Sequence, residues 1–273
     1  MNVQDVSARN RTRVLYLGDW VFHTGPSFCE SPFHIETKDC DLHFYGRPLK
    51  EALDPLAVVT TLSNWQLYRL RPGEFEDYLS KNDVIIVSDV EAKCFHLSPD
   101  FFERQKYPAE KNVNITFPDR LELLKKWVGD GGGLMFLGGW LSFSGSKEEG
   151  GWRRSTMAEV LPVECLVGED LVESSAGYTL QVVAPEHPVV GDLPWHSCPS
   201  IFGYNEVTAK PGAEVVVRVR ETGHPLVITG TYKQGRIYTF ASDPVPHWAL
   251  NFERWDGYPQ FWQNAMRWAL GAK

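Results

Sequence analysis

The chain has no run of basic residues long enough to track a nucleic-acid backbone. Its 273 residues carry 27 lysines and arginines against 35 acidic residues, a formal net charge of −8, so it is not built to neutralise successive phosphates. The densest cationic stretches, Arg9-Asn10-Arg11-Thr12-Arg13 and Trp152-Arg153-Arg154, are short. Cysteine is scarce: Cys29, Cys40, Cys94, Cys165 and Cys198 are odd in number, irregularly spaced and without a C-x-x-C pair. That excludes a disulfide framework and a zinc knuckle, and suits a reducing cytoplasm. No stretch approaches the roughly 18 apolar residues of a membrane span, and no apolar export core opens the chain. Internal repeats and low-complexity tracts are also missing. Neither nucleic acid nor membrane is an expected partner.

What is present is enough apolar material, 43% of the residues, to bury a large α/β core. Four continuous apolar runs, Val14–Leu17, Ala57–Thr60, Asp83–Val87 and Leu134–Leu137, suit strands covered on both faces. Helical patterns lie between them at Pro48–Leu56, Pro72–Lys81 and Pro118–Gly131. Strands alternating with helices predict right-handed βαβ units and a doubly wound, mostly parallel sheet. From about 150 to 235 the pattern becomes β-rich, with strands expected at Gly177–Val183 and Ala213–Val219 and a hairpin turn at Lys233-Gln234-Gly235. An aromatic helix containing Tyr258, Phe261, Trp262, Ala265 and Trp268 closes the chain. The expected organisation is a flexible segment over 1–12 and a single domain over 13–273.

In an open α/β sheet, ligands bind beyond the carboxyl ends of the strands, where strand order reverses. That rule selects Asp19, Trp20 and His23 after the first run, Ser88 and Asp89 after the third, Gly138, Gly139, Trp140 and Ser142 after the fourth, and Asp243, His247 and Trp248 after the hairpin. Asp89, Asp243 and His247 are the candidates for proton transfer. Trp20, Trp140 and Trp248 are the candidate walls, and the Gly138 and Gly139 amides could polarise a ligand oxygen. Indole cannot attack a carbonyl, so position 140 offers no nucleophile; Ser142, Ser144 and Cys94 are weaker candidates. The stretch Cys29–Gly46 gathers His34, Glu36, Asp39, Cys40, Asp41 and His43, but their spacing matches no metal-ligand pattern, and it reads as a solvated loop. No metal or cofactor is expected.

Several blocks in order, "LGD", "DVIIVSDVEAKCFHLSPDFF", "LKKWVGDGGGLMFLGGWLSFSG", "FGYNEV", "YKQGRIYTFASDPVPHW" and "WDGYPQFWQNAMRWALG", resemble a glutamine amidotransferase-like cytoplasmic family of the class I amidotransferase superfamily, related to ThuA-like proteins. The resemblance implies a flavodoxin-like fold. It also implies a G-x-C-x-G elbow, which falls on Gly138, Trp140 and Ser142, and a later H-x-E pair, which falls near Asp243 and Pro244. With cysteine, histidine and glutamate all replaced, cysteine-dependent glutamine hydrolysis is not expected. Two readings stay open: binding or turnover of a small polar metabolite, with a sugar derivative suggested by the ThuA resemblance alone, or a non-catalytic module that assembles with itself or a partner.

Overall fold

The computed structural model describes residues 11–24, 27–31, 34–37, 40–102, 114 and 116–271, without the side chains of 24–40 and 102. Most of the segment expected to be flexible, residues 1–10, lies outside the described residues.

One eight-stranded sheet organises the molecule. Its strands are β1 (Thr12–Gly18), β2 (Ala57–Leu62), β3 (Val84–Ser88), β4 (Gly133–Leu137), β5 (Leu180–Val182), β6 (Glu214–Val219), β7 (Pro225–Tyr232) and β8 (Gly235–Phe240), in the order β5-β6-β7-β8-β4-β3-β1-β2. Five neighbours, β2-β1-β3-β4-β8, pair in parallel. This is the flavodoxin-like order, and its direction reverses between β1 and β3. β7, β6 and β5 continue the sheet antiparallel beyond β8. Much of the β-rich stretch therefore widens the main sheet, and the remainder forms two small ribbons, Leu171–Tyr178 with Ile201–Asn205 and Val163–Cys165 with Val207–Ala209.

The continuous apolar runs are explained by burial on both faces. Alternate residues of each strand point oppositely: Val14, Tyr16, Val84, Ile86, Met135, Leu137, Tyr238 and Phe240 join one core, and Leu15, Leu17, Ile85, Val87, Leu134, Phe136 and Ile237 the other. Helices α1 (Arg47–Leu53) and α5 (Tyr258–Leu270) cover the first; α2 (Asn64–Arg69), α3 (Pro72–Lys81) and α4 (Arg120–Gly129) cover the second. α5 buries Phe261, Trp262, Ala265 and Met266 on one side, and each large side chain so buried contributes about 1.5–3 kcal/mol.

α4 is tied down by a buried arginine. The guanidinium of Arg120 donates to the carbonyls of Leu67 (2.6 Å), Leu70 (2.9 Å), Cys94 (2.9 Å) and Phe95 (3.0 Å), and so fixes the segments that follow β2 and β3. Two elements differ from the expectation drawn from sequence. α2 is an additional short helix, capped by Ser63 and Gln66 in a reciprocal box. The stretch read as a solvated loop instead forms antiparallel ribbons, Trp20–Thr24 with Cys40–Phe44 and Ser27–Ser31 with His34–Thr37.

Candidate functional site

β1 and β3 meet at the reversal point, where Gly18 faces Ser88 in register. Gly18 has φ +112°, and a Cβ there would stand 1.8 Å from the Ser88 carbonyl oxygen, so only glycine lets the strand ends approach this closely. The next residues, Asp19 and Asp89, adopt φ of +54° and +49°, a conformation that costs a non-glycine residue about 1–2 kcal/mol. Local strain of this kind clusters at functional sites. Asp243 follows β8; its carboxyl and that of Asp19 are buried, and Asp89 is half-buried.

Burial pushes Asp19 and Asp243 well above the usual carboxylate range, and repulsion adds to it: Asp243 and Asp89 act on Asp19, and Asp89 acts on Asp243. Asp89 is also raised by burial, against the Leu141 amide, which donates to its Oδ1 at 2.6 Å, and against His247. The Tyr16 hydroxyl donates to Oδ2 of Asp19. Asp19 Oδ1, Ser88 Oγ and the Trp20 indole N–H are buried without a well-formed hydrogen bond, although the Ser88 hydroxyl acts on the Asp19 carboxyl and opposes its rise. Leaving such atoms unmet costs about 1–3 kcal/mol each. An acid and a hydroxyl that only loosely engage each other, and an unmet indole N–H, thus stand where the topology predicts a ligand.

His247 completes the cluster. Its Nδ1 lies 3.1 Å from Asp243 Oδ2, and its ring centroid 4.6 Å from that of Trp140. Burial lowers the imidazole below its ordinary value, while Asp89, Glu173 and Asp19 pull the other way. Trp140 is half exposed and forms an open wall; Trp248 is only 2% exposed, so the expected second wall is a backing residue. One oxygen of Glu173, Oε1, accepts both indole N–H groups, from Trp140 at 3.2 Å and from Trp248 at 2.7 Å. Trp20 stacks on Phe44 at 4.8 Å. His23, on the adjoining ribbon, lies 3.0 Å from the Tyr45 hydroxyl and packs against His43.

The glycine turn does different work from that expected. The Gly138 amide donates to the carbonyls of Phe240 and Ser242, and the Gly139 amide to Asn205 Oδ1 at 3.0 Å; neither is available to polarise a ligand oxygen. The Asn205 side chain returns a bond to the Gly139 carbonyl and another to Asp170, whose carboxylate accepts the Ser144 and Gly145 amides. The β-rich stretch thereby latches the turn.

The Ser142 hydroxyl donates to the Leu137 carbonyl at 2.6 Å and accepts the Asp89 amide at 3.1 Å, so it shapes the turn. Ser144 Oγ is likewise bound to the Leu166 carbonyl. Burial, and then Glu91, push the Cys94 thiol up to about 12, while burial first of all pushes Cys165 and Cys198 to the same value. None of these thiols supplies thiolate near neutral pH. Among the described residues no group of three or more histidine, cysteine, aspartate or glutamate residues is arranged to hold a metal ion. The side chains of His34, Glu36, Asp39 and Cys40 lie outside the described residues.

A flavodoxin-like sheet with a glycine turn after β4 and an acid–histidine pair after β8 defines a class I amidotransferase-like α/β protein. The family model described as "Putative glutamine amidotransferase" matches residues 40–270, and the chain belongs to that family. Among solved structures, cytoplasmic protein STM3548 from Salmonella typhimurium is 30% identical, with a TM-score of 0.81 over 94% of this chain and 98% of its own. Cytoplasmic protein STM1381 from Salmonella typhimurium LT2 is 28% identical, with a TM-score of 0.80 over 94% and 99%. A ThuA-like protein from Bacteroides uniformis shares the fold at 12% identity, with a TM-score of 0.50 over 95% and 91%. No curated protein matches the chain. No helix among the described residues is long and apolar enough to cross a membrane.

Proposed function

We propose that this protein binds a small polar metabolite, of which a sugar derivative is one class, at the ends of β1, β3 and β8, and transfers protons to or from it without a covalent cysteine intermediate. The observation that carries the reading is the set Asp19 Oδ1, Ser88 Oγ and Trp20 N–H, buried without well-formed hydrogen bonds beside Asp89, Asp243 and His247. Hydroxyl groups of a ligand can donate to the first and accept from the last, and the exposed face of Trp140 suits the apolar face of such a molecule.

His247 and Asp243 form the proton-transfer pair. Burial favours the uncharged form of each, so the proton between Oδ2 and Nδ1 sets which nitrogen is free. Nε2 then exchanges a proton with the ligand while Asp243 fixes the ring. Trp140 at the elbow position, the occupied glycine amides and the un-ionised thiols support a reaction other than glutamine hydrolysis. A cytoplasmic location is part of this reading, supported by the relatives described as cytoplasmic proteins.

Calorimetry and thermal shift against a panel of sugars, polyols and hydroxyacids test it. A ligand should raise the melting temperature of the wild type and fail to raise that of Asp243→Asn or His247→Ala. Ammonia release from glutamine that is abolished by Cys94→Ala would refute the proposal. Assembly through the ribbon is a second reading, favoured by Phe22 and Leu42, which face each other in register and are both exposed. Sedimentation of the wild type and of Phe22→Ser/Leu42→Ser distinguishes it.

A further inference from the structure

The segments that follow β3 and β4 also line a cavity that differs in character from the candidate site. It measures about 370 Å³ and is lined by Ala92, Ser144 and Gly151 together with Lys93, His96, Glu148, Arg153 and Arg154. The lining belongs to the segments that follow β3 and β4, joined by the Ala92 amide on the Gly150 carbonyl at 2.8 Å. Trp152 pins the same loop, its indole N–H reaching the Val90 carbonyl at 2.7 Å.

The charge around this cavity runs against that of the molecule. The chain carries a net −8, yet two arginines, a lysine and a histidine share this hollow with one carboxylate. Elsewhere four surface lysines are matched within bonding reach: Lys50 with Asp54, Lys81 with Asp77, Lys125 with Glu159 and Lys126 with Asp130. Here Arg154 meets Glu148 only at 3.9 Å, between side chains 80% and 50% exposed, too loose and wet to hold its partners, and His96 lies 3.6 Å from Asp119. Neither Lys93 nor Arg153 has an ion-pair partner among the described residues. Like charges gathered with little counter-charge repel one another, and an anion between them removes that penalty. Guanidinium forks match the oxygens of phosphate or carboxylate in pairs, and the volume lies in the range of small-molecule sites.

We propose that this cavity is an oxyanion-binding site, separate from the carboxyl cluster, that takes a phosphate- or polycarboxylate-bearing small molecule between Lys93, Arg153 and Arg154. It differs in kind from the candidate active site, whose titratable groups are Asp19, Asp89, Asp243 and His247. The two sites share the loop that starts at Trp140, whose carbonyl accepts the Ser146 amide at 2.7 Å.

Isothermal titration of the full chain with inorganic phosphate and, separately, with citrate, at constant ionic strength set by chloride, tests the proposal. Saturable binding of either supports it: phosphate alone identifies a phosphoryl group, and citrate alone a polycarboxylate. Arg153→Ala/Arg154→Ala and, independently, Lys93→Ala should each weaken binding at least about tenfold, the loss expected for charge-assisted bonds. Glu148→Gln, which removes the opposing carboxylate, should tighten it. Lys126→Ala, on a distant helix, should leave it unchanged. Absence of saturable binding of both anions in the folded wild type, or binding that the Lys93 and arginine variants leave intact, overturns the proposal.

Discussion

The carboxyl of Asp243 and the imidazole of His247 lie 3.1 Å apart, with the acid side chain 1% and the histidine side chain 38% exposed. Burial drives the two titrations in opposite directions, the acid up and the imidazole down. The buried acid is thus kept from charging while the histidine side chain stays partly open to solvent.

His247 should therefore titrate below its ordinary value of 6.5, as read by NMR of labelled histidine. Asp89 raises it, so Asp89→Asn should move the midpoint further down. Asparagine keeps an oxygen for the Leu141 amide, which separates the charge effect from loss of structure. A lowered folded-state value gives stability that is present above the unfolded imidazole value and lost as pH falls through the folded one. A midpoint at or above 6.5, or one that Asp89→Asn raises, contradicts this account.

Asp19 carries the opposite sign. Its folded-state value is raised, first by burial and then by Asp243, so the folded protein holds this proton more tightly than the unfolded chain does. The stabilising contribution is complete below the ordinary carboxyl value and is lost as pH rises through the raised one. Asp19→Asn does not titrate and can still accept the Tyr16 hydroxyl. Its melting temperature should gain on that of the wild type from about pH 5 to about pH 8, while ligand binding falls. A difference that shrinks with pH would show that Asp19 is not the strained acid.

The sheet and the location of the site were legible because they depend on local pattern. Runs such as Val84–Val87 announce a strand covered on both faces, and acids placed directly after those runs necessarily fall at the strand ends. What depends on partners far along the chain was not legible. The Gly139 amide is lost to a ligand because Asn205, 66 positions away, takes it, and Glu173 matters only because two tryptophans converge on it. Ser63 and Gln66 carried a readable capping signal for α2, but the helix is too short for an apolar stripe to form.

Glu173 should prove to be the prop of the Trp140 wall. Glu173→Ala leaves the buried Trp248 N–H unpaired, a cost of about 1–3 kcal/mol in urea denaturation, and frees the half-exposed Trp140 ring. Glu173→Gln keeps an accepting oxygen and should recover most of the stability. If alanine and glutamine variants are equally destabilised, charge rather than hydrogen bonding is what Glu173 supplies.

Two glycines separate backbone strain from close approach. Gly168 has φ +95° with open space where an added methyl would stand, whereas Gly139 has φ +140° and a Cβ there would lie 2.5 Å from Asp89 Oδ1. Gly168→Ala bears conformational strain alone, about 1 kcal/mol. Gly139→Ala bears strain and also displaces the Asp89 carboxyl, for a loss on the order of 3 kcal/mol, together with any ligand-induced thermal shift. Denaturation curves of the two variants decide it: equal losses would mean that the carboxyl yields freely, and a preorganised Asp89 would then be untenable.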